Sequence, residues 1–348
     1  MQHRYRTTTW LAHAARRIRT SRRSKPALLG KGKLNKRKLG HSGIEVAPFA
    51  FGGNVLGWTA DEATSFSLLD AFSSSGFDLI DTADVYVNWV PGFNGGESET
   101  ILGKWFARSG KRAKVVLAAK VGMEMGPSRK GLSKQYIIEA VEASLRRLNT
   151  DYIDLYQSHV DDVDTPLEET LEAYAQLIRQ GKVRAIGASN HTAARLEESL
   201  QVSASAGLPS YQSLQPQYNL CDRAGFECDV QGICVKHGLG VLTYFSLANG
   251  FLTGKYRTDA DLGSNARSAA VKPYLNPRGM AILAALDEVG QSLRVTPAQI
   301  ALAWLSARPA VTAPIASATS LAQLDDLMAA AHLSLPAEAI ATLDAASA

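Results

Sequence analysis

Short apolar runs and longer amphipathic stretches alternate along the chain from residue 39 onwards. An apolar run bounded by turn residues predicts a strand, and apolar residues at helical spacing predict a helix. The predicted strands cover residues 45–53, 77–83, 114–122, 151–159, 182–189, 211–217, 239–247 and 311–317. The predicted helices cover residues 61–76, 96–110, 133–149, 166–181, 191–204, 221–238, 279–294, 296–307 and 321–331.

This order of elements predicts an α/β fold, a parallel (β/α)8 TIM barrel, because eight strand–helix pairs in about 300 residues match that fold in number and length. A doubly wound sheet is the alternative, but the Gly-x-Gly-x-x-Gly turn typical of it does not follow the first strand. Residues 37–46 predict an N-terminal β-hairpin with its turn at 41–43, which we expect to close the bottom of the barrel. Residues 248–278 predict a long loop after the seventh strand.

Charge divides the chain into two segments. Residues 1–38 contain 13 of the 37 basic residues and no acidic residue, which leaves 24 bases against 33 acids and a net charge of −9 for the remainder. We predict a disordered basic extension over 1–36 and the barrel domain over 37–348. The alternatives for the extension are an organelle-targeting peptide, a polyanion-binding arm and a stretch upstream of the natural start codon. The acidic remainder offers no basic surface for nucleic acid.

Composition limits the location of the protein and its partners. Hydrophobic residues make up 46% of the chain, but the longest apolar runs end well before membrane-spanning length, so we expect no membrane segment. Three cysteines within one short segment, Cys221, Cys228 and Cys234, fit neither a disulfide framework nor a metal-binding spacing. We therefore expect a reducing, cytoplasmic environment and no metal, and we leave a homo-oligomer open.

Four polar residues lie at or just after the ends of neighbouring predicted strands. Asp81 ends the second strand, Lys120 the third and His159 the fourth, and Tyr86 follows the second strand closely. In a (β/α)8 barrel these strand ends share the rim that carries active sites. Each residue alone has an ordinary structural explanation, but their occurrence together favours catalysis. A lysine at the end of an apolar strand needs an anionic partner, which Asp81 can supply.

From residue 39 to the C-terminus the sequence resembles the aldo-keto reductases, through the motifs DTADVY, AAK, YQSH, GASN, LQPQYN and LANGFLTGKY. The resemblance implies NADPH-dependent reduction of an aldehyde or ketone to an alcohol by a catalytic tetrad of Asp81, Tyr86, Lys120 and His159. Tyr86 is then the general acid, and the Lys120 ammonium, held by Asp81, is expected to lower the pKa of the phenol. His159 is expected to orient the carbonyl oxygen.

The resemblance also implies the residues that bind the cofactor. Those expected near the nicotinamide are Ser189, Asn190, Gln215, Tyr244, Phe245 and Leu247. Those expected near the phosphates and the adenine are Lys255, Arg267, Ser317, Thr319, Gln323 and Asp326. Phe245 and Ser246 stand where the family more often has Ser-Pro.

The adenine end of this set departs from the family pattern. Members strict for NADPH often carry Lys at the position of Ser317 and Arg at that of Gln323. A 2′-phosphate binds best to basic side chains, so either Lys255 and Arg267 supply the charge or NADH is also accepted. We favour NADPH.

Trp58 and Trp89 are expected to form walls of the substrate pocket. One alternative function is a regulatory or channel-associated subunit of the same fold that binds nucleotide and turns over slowly. A metal hydrolase is disfavoured because the first strand ends without a His-x-His pair. A glycosidase is disfavoured because Asp81 has no clear second carboxylate at a strand end.

Overall fold

The structure is a computed structural model that describes residues 34–263 and 266–348, without the side chains of residues 266–268. Nearly all of the predicted basic extension lies outside the described residues, so its disorder stays a prediction.

A short hairpin precedes the barrel. Its strands, β1 (Arg37–Lys38) and β2 (Glu45–Val46), are antiparallel, with Arg37 opposite Val46. Gly43 in the turn has a φ of 75°, a left-handed conformation that glycine adopts without steric cost. Leu39, Ile44 and Val46 are buried against the apolar residues at the start of the barrel strands. The hairpin therefore closes the bottom of the barrel, as the sequence predicts.

Eight parallel strands form the barrel, and the last pairs with the first to close it. This confirms the predicted (β/α)8 fold. The strands are β3 (Ala50–Gly52), β4 (Leu79–Asp81), β5 (Val116–Val121), β6 (Ile153–Ser158), β7 (Val183–Ser189), β8 (Ser213–Gln215), β9 (Gly240–Thr243) and β10 (Val311–Ala316).

Helices surround the barrel and pack apolar faces against it. The first helix has an N-cap, since the Asp61 carboxylate accepts from the Thr64 N–H at 2.8 Å. The helices are α1 (Glu62–Ser74), α2 (Glu97–Ser109), α3 (Lys134–Leu148), α4 (Leu167–Arg179), α5 (Ala193–Ala206), α6 (Ala224–Glu227), α7 (Val230–His237), α8 (Ala266–Val271), α9 (Pro277–Leu293), α10 (Pro297–Ser306), α11 (Leu321–Ala329) and α12 (Ala337–Ala346).

The structure differs from the predicted elements in three places. The predicted helix 221–238 is two helices, α6 and α7, separated at Asp229, whose φ of −128° is not helical. The long loop after β9 contains short 3₁₀ turns and α8. Helix α12 was not predicted; it packs against α9 and α10, and its Asp344 accepts from the Trp304 indole at 2.8 Å.

Alternation along the strands determines which side chains reach the top of the barrel. The inward side chains of the lower layer are apolar and include Leu79, Ala118, Leu155, Ala185 and Leu242. Because side chains on a strand alternate, the residue two positions later also points inward, one layer higher. That upper layer includes Asp81, Lys120, Gln157, Gly187 and Tyr244.

Candidate active site

The centre of the upper layer is the ammonium of Lys120, whose side chain is completely buried. Its Nζ donates to Asp81 Oδ2 at 2.7 Å, to the Thr82 carbonyl at 2.8 Å and to the Tyr86 hydroxyl at 3.0 Å. These three bonds use all three donors of an ammonium group. The structure thus brings together three of the four predicted catalytic residues, with the lysine between the carboxylate and the phenol.

The loop that carries Tyr86 is fastened to the start of α2. The Tyr86 carbonyl accepts from the Gly96 N–H at 2.9 Å, and the Val87 N–H donates to Glu97 Oε2 at 3.2 Å. Gly96 has a φ of 89°, which favours glycine at this close approach. The loop therefore holds the phenol over β4 and β5.

Burial and charge act in opposite directions on the phenol. Burial raises the pKa of Tyr86 above its ordinary value, and the Lys120 ammonium opposes that rise. The expected lowering is therefore present as a contribution, but burial outweighs it and the phenol keeps its proton at neutral pH. Burial lowers the pKa of Lys120, but Asp81 and Tyr86 more than compensate, so the net pKa of Lys120 is raised and the lysine stays charged.

His159, the fourth predicted residue, lies beside the phenol. Its ring centroid is 6.0 Å from that of Tyr86, with the planes 72° apart. Burial, followed by the charge of Lys120, lowers the pKa of His159 well below its ordinary value. The imidazole is therefore neutral near pH 7 and can donate one hydrogen bond without carrying charge.

The predicted nicotinamide contacts lie next to this group at the ends of β7, β8 and β9. Gln215 Nε2 donates to Asp81 Oδ1 at 2.8 Å, and Ser189 Oγ donates to the Gln215 carbonyl at 2.8 Å. Asn190 donates to the His159 carbonyl at 2.9 Å, and its amide oxygen accepts from the Tyr244 hydroxyl at 2.7 Å. One hydrogen-bonded network therefore joins this region to the tetrad.

Two further residues predicted at this end lie just after Tyr244. Phe245 is 45% exposed and has a φ of 50°, which places a large apolar ring at the surface of the rim. Leu247 is partly buried and packs against the core.

The predicted substrate walls form an aromatic edge above the phenol. The ring centroids of Tyr86 and Trp89 are 5.6 Å apart, and those of Trp89 and Trp58 are 6.2 Å apart, both pairs edge to face. Trp89 is 49% exposed, although it is one of the largest apolar side chains. An exposed indole beside the buried phenol provides apolar surface at the mouth of the site.

The residues predicted for the phosphates and adenine belong to separate local networks. Ser317 Oγ donates to Asn54 Oδ1 at 2.6 Å. The Thr319 N–H donates to Gln323 Oε1 at 2.9 Å at the start of α11. Asp326 accepts from Thr296 and Gln299 at the start of α10, at 3.0 and 2.8 Å.

The two basic residues predicted for the phosphates lie in the long loop after β9. Lys255 Nζ lies 4.8 Å from the centroid of the Tyr256 ring. Arg267 belongs to α8, and its side chain lies outside the described residues. The structure therefore provides no contact for it.

Comparisons with known proteins agree with this geometry. A sequence profile of the aldo/keto reductase family matches residues 48–348. The chain belongs to the aldo/keto reductase family. It is therefore an oxidoreductase of a family that generally uses a nicotinamide dinucleotide.

Three relatives illustrate the range of this family. An uncharacterized oxidoreductase, YrpG, of Bacillus subtilis is 36% identical over 314 residues, covering 88% of this chain and 94% of the relative. The aldo-keto reductase YhdN of the same organism is 33% identical and covers 82% of this chain and 84% of the relative. A probable voltage-gated potassium channel subunit beta of Arabidopsis thaliana is 32% identical, covering 84% and 90%.

The residues beside the phenol fit the nicotinamide expected of an aldo/keto reductase. Such a ring needs a flat surface and polar partners for its carboxamide. The Tyr244 ring is partly exposed at the rim. Gln215 uses its amide nitrogen on Asp81 and on Gln157, and its amide oxygen accepts no hydrogen bond from the residues that the structure describes.

Two polar residues close to the tetrad, Gln157 and Asp84, were not predicted from the sequence. Gln157 faces the barrel interior two residues before His159, and a polar residue at an inward strand position is the signal that could have revealed it. Asp84 is buried near Glu99 and Arg147, and neither of its oxygens has a hydrogen-bond partner among the described residues. Asp84 lies in the motif between Asp81 and Tyr86, which were both assigned to the tetrad, so it was given no role of its own.

Within residues 34–263 and 266–348, histidine, cysteine and carboxylate side chains form no group of three that could hold a metal ion. In the same ranges, every helix lacks either the length or the apolar character that crossing a membrane requires.

Proposed function

We propose that this chain reduces an aldehyde or ketone to an alcohol, with NADPH as the hydride donor. The observation that carries the proposal is the position of the buried Lys120 ammonium, 2.7 Å from Asp81 and 3.0 Å from the Tyr86 hydroxyl. A buried cation with an anchoring carboxylate on one side and a phenol on the other is suited to proton donation by that phenol.

In this proposal Tyr86 gives its proton to the carbonyl oxygen as negative charge develops there. A bound reduced nicotinamide supplies the hydride to the carbonyl carbon. Lys120 stabilises the phenolate that remains, and Asp81 holds Lys120 in place. Neutral His159 donates a hydrogen bond to the same oxygen and so directs it towards the phenol.

We propose that the cofactor lies along the ends of β7 to β9. The Tyr244 ring is the surface for the nicotinamide, and Gln215 and Ser189 lie within the same hydrogen-bonded network. Asn190 accepts from the Tyr244 hydroxyl and donates to the His159 carbonyl. Its amide oxygen has a second lone pair, which can accept from the N–H of a carboxamide while both bonds are kept.

The preference for NADPH rests on the loop after β9. Ser317, Thr319 and Gln323 carry no charge, so the 2′-phosphate has to be bound by basic residues elsewhere. Lys255 forms no ion pair among the described residues and is the proposed partner, together with Arg267. Replacing Lys255 by Met is expected to raise the KM for NADPH and leave that for NADH unchanged.

We propose that Trp58 and Trp89 bind the apolar part of the carbonyl substrate. Their edge-to-face contact with each other and with Tyr86 places apolar surface directly beside the phenol.

Cys221, Cys228 and Cys234 are free thiols, which supports a reducing, cytoplasmic location.

A panel of aldehydes and ketones assayed with NADPH and NADH in parallel tests the proposal. Absorbance at the nicotinamide band reports oxidation of the cofactor, and chromatography identifies the alcohol. We expect alcohol formation in equal amount to cofactor oxidised, with NADPH preferred. Absence of alcohol across the panel, with cofactor still bound, contradicts the proposed function.

The similarity to a probable potassium channel subunit beta supports one second candidate, a nucleotide-binding regulatory subunit with slow turnover. Single-turnover and steady-state measurements distinguish the two. A fast first turnover followed by very slow product release supports the regulatory subunit, whereas matching rates support the reductase.

A further inference from the structure

We propose that Gln157 is a positioning residue that holds Gln215 in the orientation in which it donates to Asp81, and thereby fixes Lys120 against the Tyr86 phenol. This inference rests on the proposed function, because it assigns a role within that same site. It adds to the candidate active site one residue that touches none of the reacting atoms.

Gln157 begins a chain of buried contacts that ends at the phenol. Gln215 Nε2 lies 3.4 Å from Gln157 Oε1 and 2.8 Å from Asp81 Oδ1. The other oxygen of Asp81 accepts from Lys120 at 2.7 Å, and Lys120 donates to the Tyr86 hydroxyl at 3.0 Å. Gln157 and Lys120 are completely buried, and Gln215 is 2% exposed. A buried polar chain of this kind fixes the orientation of its members.

The geometry of Gln215 explains why it needs a second partner. With only Asp81 as acceptor, the Gln215 amide is held through one N–H and can still rotate about that hydrogen bond. The oxygen of Gln157 accepts from the same nitrogen, so the nitrogen stays directed into the barrel and the oxygen of Gln215 stays on the other side.

Neighbouring residues make space for Gln157 inside the barrel. A Cβ on Gly187 of β7 would lie 3.1 Å from Gln157 Cγ and 2.3 Å from Ser213 Oγ. Glycine at this strand position therefore leaves room for two polar side chains. Neither Gln157 Nε2 nor Ser213 Oγ has a partner among the described residues.

Because Gln157 Nε2 has no hydrogen-bond partner among the described residues, replacing Gln157 can distinguish a functional role from a structural one. A buried donor without an acceptor destabilises the fold, so an apolar side chain of the same length is expected to be tolerated there or to be stabilising. If Gln157 only filled space, methionine would replace it without consequence for turnover. Loss of turnover without loss of stability is the signature of positioning.

Gln157→Met and Gln157→Glu test this in the full-length protein, with Ser213→Ala as the matched control. Methionine removes the acceptor at nearly constant length. Glutamate keeps an oxygen there, and burial beside Asp81 is expected to keep its carboxyl protonated and uncharged. Ser213 is buried and unpartnered in the same part of the barrel, but it makes no hydrogen bond to Gln215. We measure kcat, KM for NADPH and for the carbonyl substrate, and the thermal midpoint.

We expect Q157M to lower kcat about tenfold, the effect of losing one positioning hydrogen bond, with an unchanged or raised thermal midpoint and little change in substrate KM. Q157E is expected to recover most of the rate, and S213A to match the wild type. Unchanged kcat in Q157M contradicts the proposal, as does equal loss in S213A. Insoluble Q157M also contradicts it, because the proposal requires the contact to be dispensable for folding.

A crystal structure of Q157M gives a readout that is independent of turnover. We expect the Gln215 amide to be rotated or disordered relative to Asp81. A Gln215 nitrogen still 2.8 Å from Asp81 overturns the positioning role, whatever the activity. Absence of reductase activity in the wild type contradicts the proposed function instead, so the two failures are distinguishable.

Discussion

At the scale of single residues, the charge of Lys120 dominates the site. The Lys120 side chain is inaccessible to solvent, and its ion-pair partner Asp81 is buried in the same upper layer of the barrel. Such pairs contribute little net stability, because desolvation offsets their attraction. Removing one partner alone nevertheless lowers the free energy of unfolding, because the other charge stays buried without its counterion. This difference can be tested directly.

Replacing Lys120 by Met leaves Asp81 buried without its cation. We expect the free energy of unfolding to fall by about 3–5 kcal/mol, measured by urea denaturation. The double variant Asp81→Asn with Lys120→Met removes both charges and is expected to recover most of this loss, but not the reductase activity. A single variant as stable as the wild type contradicts the buried pair.

At the scale of elements, the loop between β4 and α2 carries both the phenol and a buried acid. Asp84 lies near Glu99 of α2, and Arg147 of α3 donates to Glu99 at 2.7 Å. The charge of Lys120 also acts on Asp84, and the charge of Asp84 acts in turn on Tyr136, Tyr156 and Tyr174. Burial, followed by the charge of Glu99, raises the pKa of Asp84 to about 8.

This shift makes stability depend on pH. Between about pH 4, the ordinary value for an aspartate, and about pH 8 the folded protein keeps the Asp84 proton and the unfolded chain has lost it. The unfolded state then binds fewer protons, so the free energy of unfolding falls as pH rises through this window. The contribution is on the order of a few kcal/mol.

Asp84→Asn is expected to remove that contribution. The variant should be more stable than the wild type at pH 8 and nearly equal to it at pH 4, as measured by urea denaturation across the range. Asp325→Asn, an exposed residue of α11, is the control and should follow the wild type. An Asp84→Asn curve parallel to the wild type at every pH contradicts the assignment.

At the scale of the whole molecule, the stability of the barrel depends on the N-terminal hairpin of β1 and β2. Leu39, Ile44 and Val46 of the hairpin are buried under the barrel strands. Each buried side chain of this kind stabilises a fold by about 1.5–3 kcal/mol. The hairpin residues 37–46 therefore belong to the folded domain, and the predicted boundary after residue 36 stays a prediction.

Two truncations test this boundary. Removal of residues 1–33 is expected to leave the thermal midpoint and the activity unchanged. Removal of residues 1–46 also deletes the hairpin and is expected to give an insoluble or strongly destabilised protein. A large loss of stability in the shorter truncation means that the basic segment contributes to the fold.

The sequence predicts those features that depend on local pattern. Eight apolar runs predicted the barrel, and the strand ends predicted that Asp81, Lys120 and His159 share one rim. Contacts between distant segments are not visible in such patterns, and the Gln215–Asp81 bond joins residues 134 positions apart. Helix α12 was missed for a similar reason, because its apolar residues are mostly alanines and are buried only through its packing against α9.

The most direct test of the account is the turnover of Tyr86→Phe, compared with Tyr152→Phe as a control just before the start of β6, at the opposite end of that strand from His159. General acid catalysis contributes about 10²–10⁴-fold to a rate, so we predict that Tyr86→Phe loses at least a hundredfold in kcat. Binding of NADPH, followed by fluorescence, should stay near the wild-type value. Full turnover in Tyr86→Phe contradicts the claim that this phenol, held by Lys120 and Asp81, donates the proton.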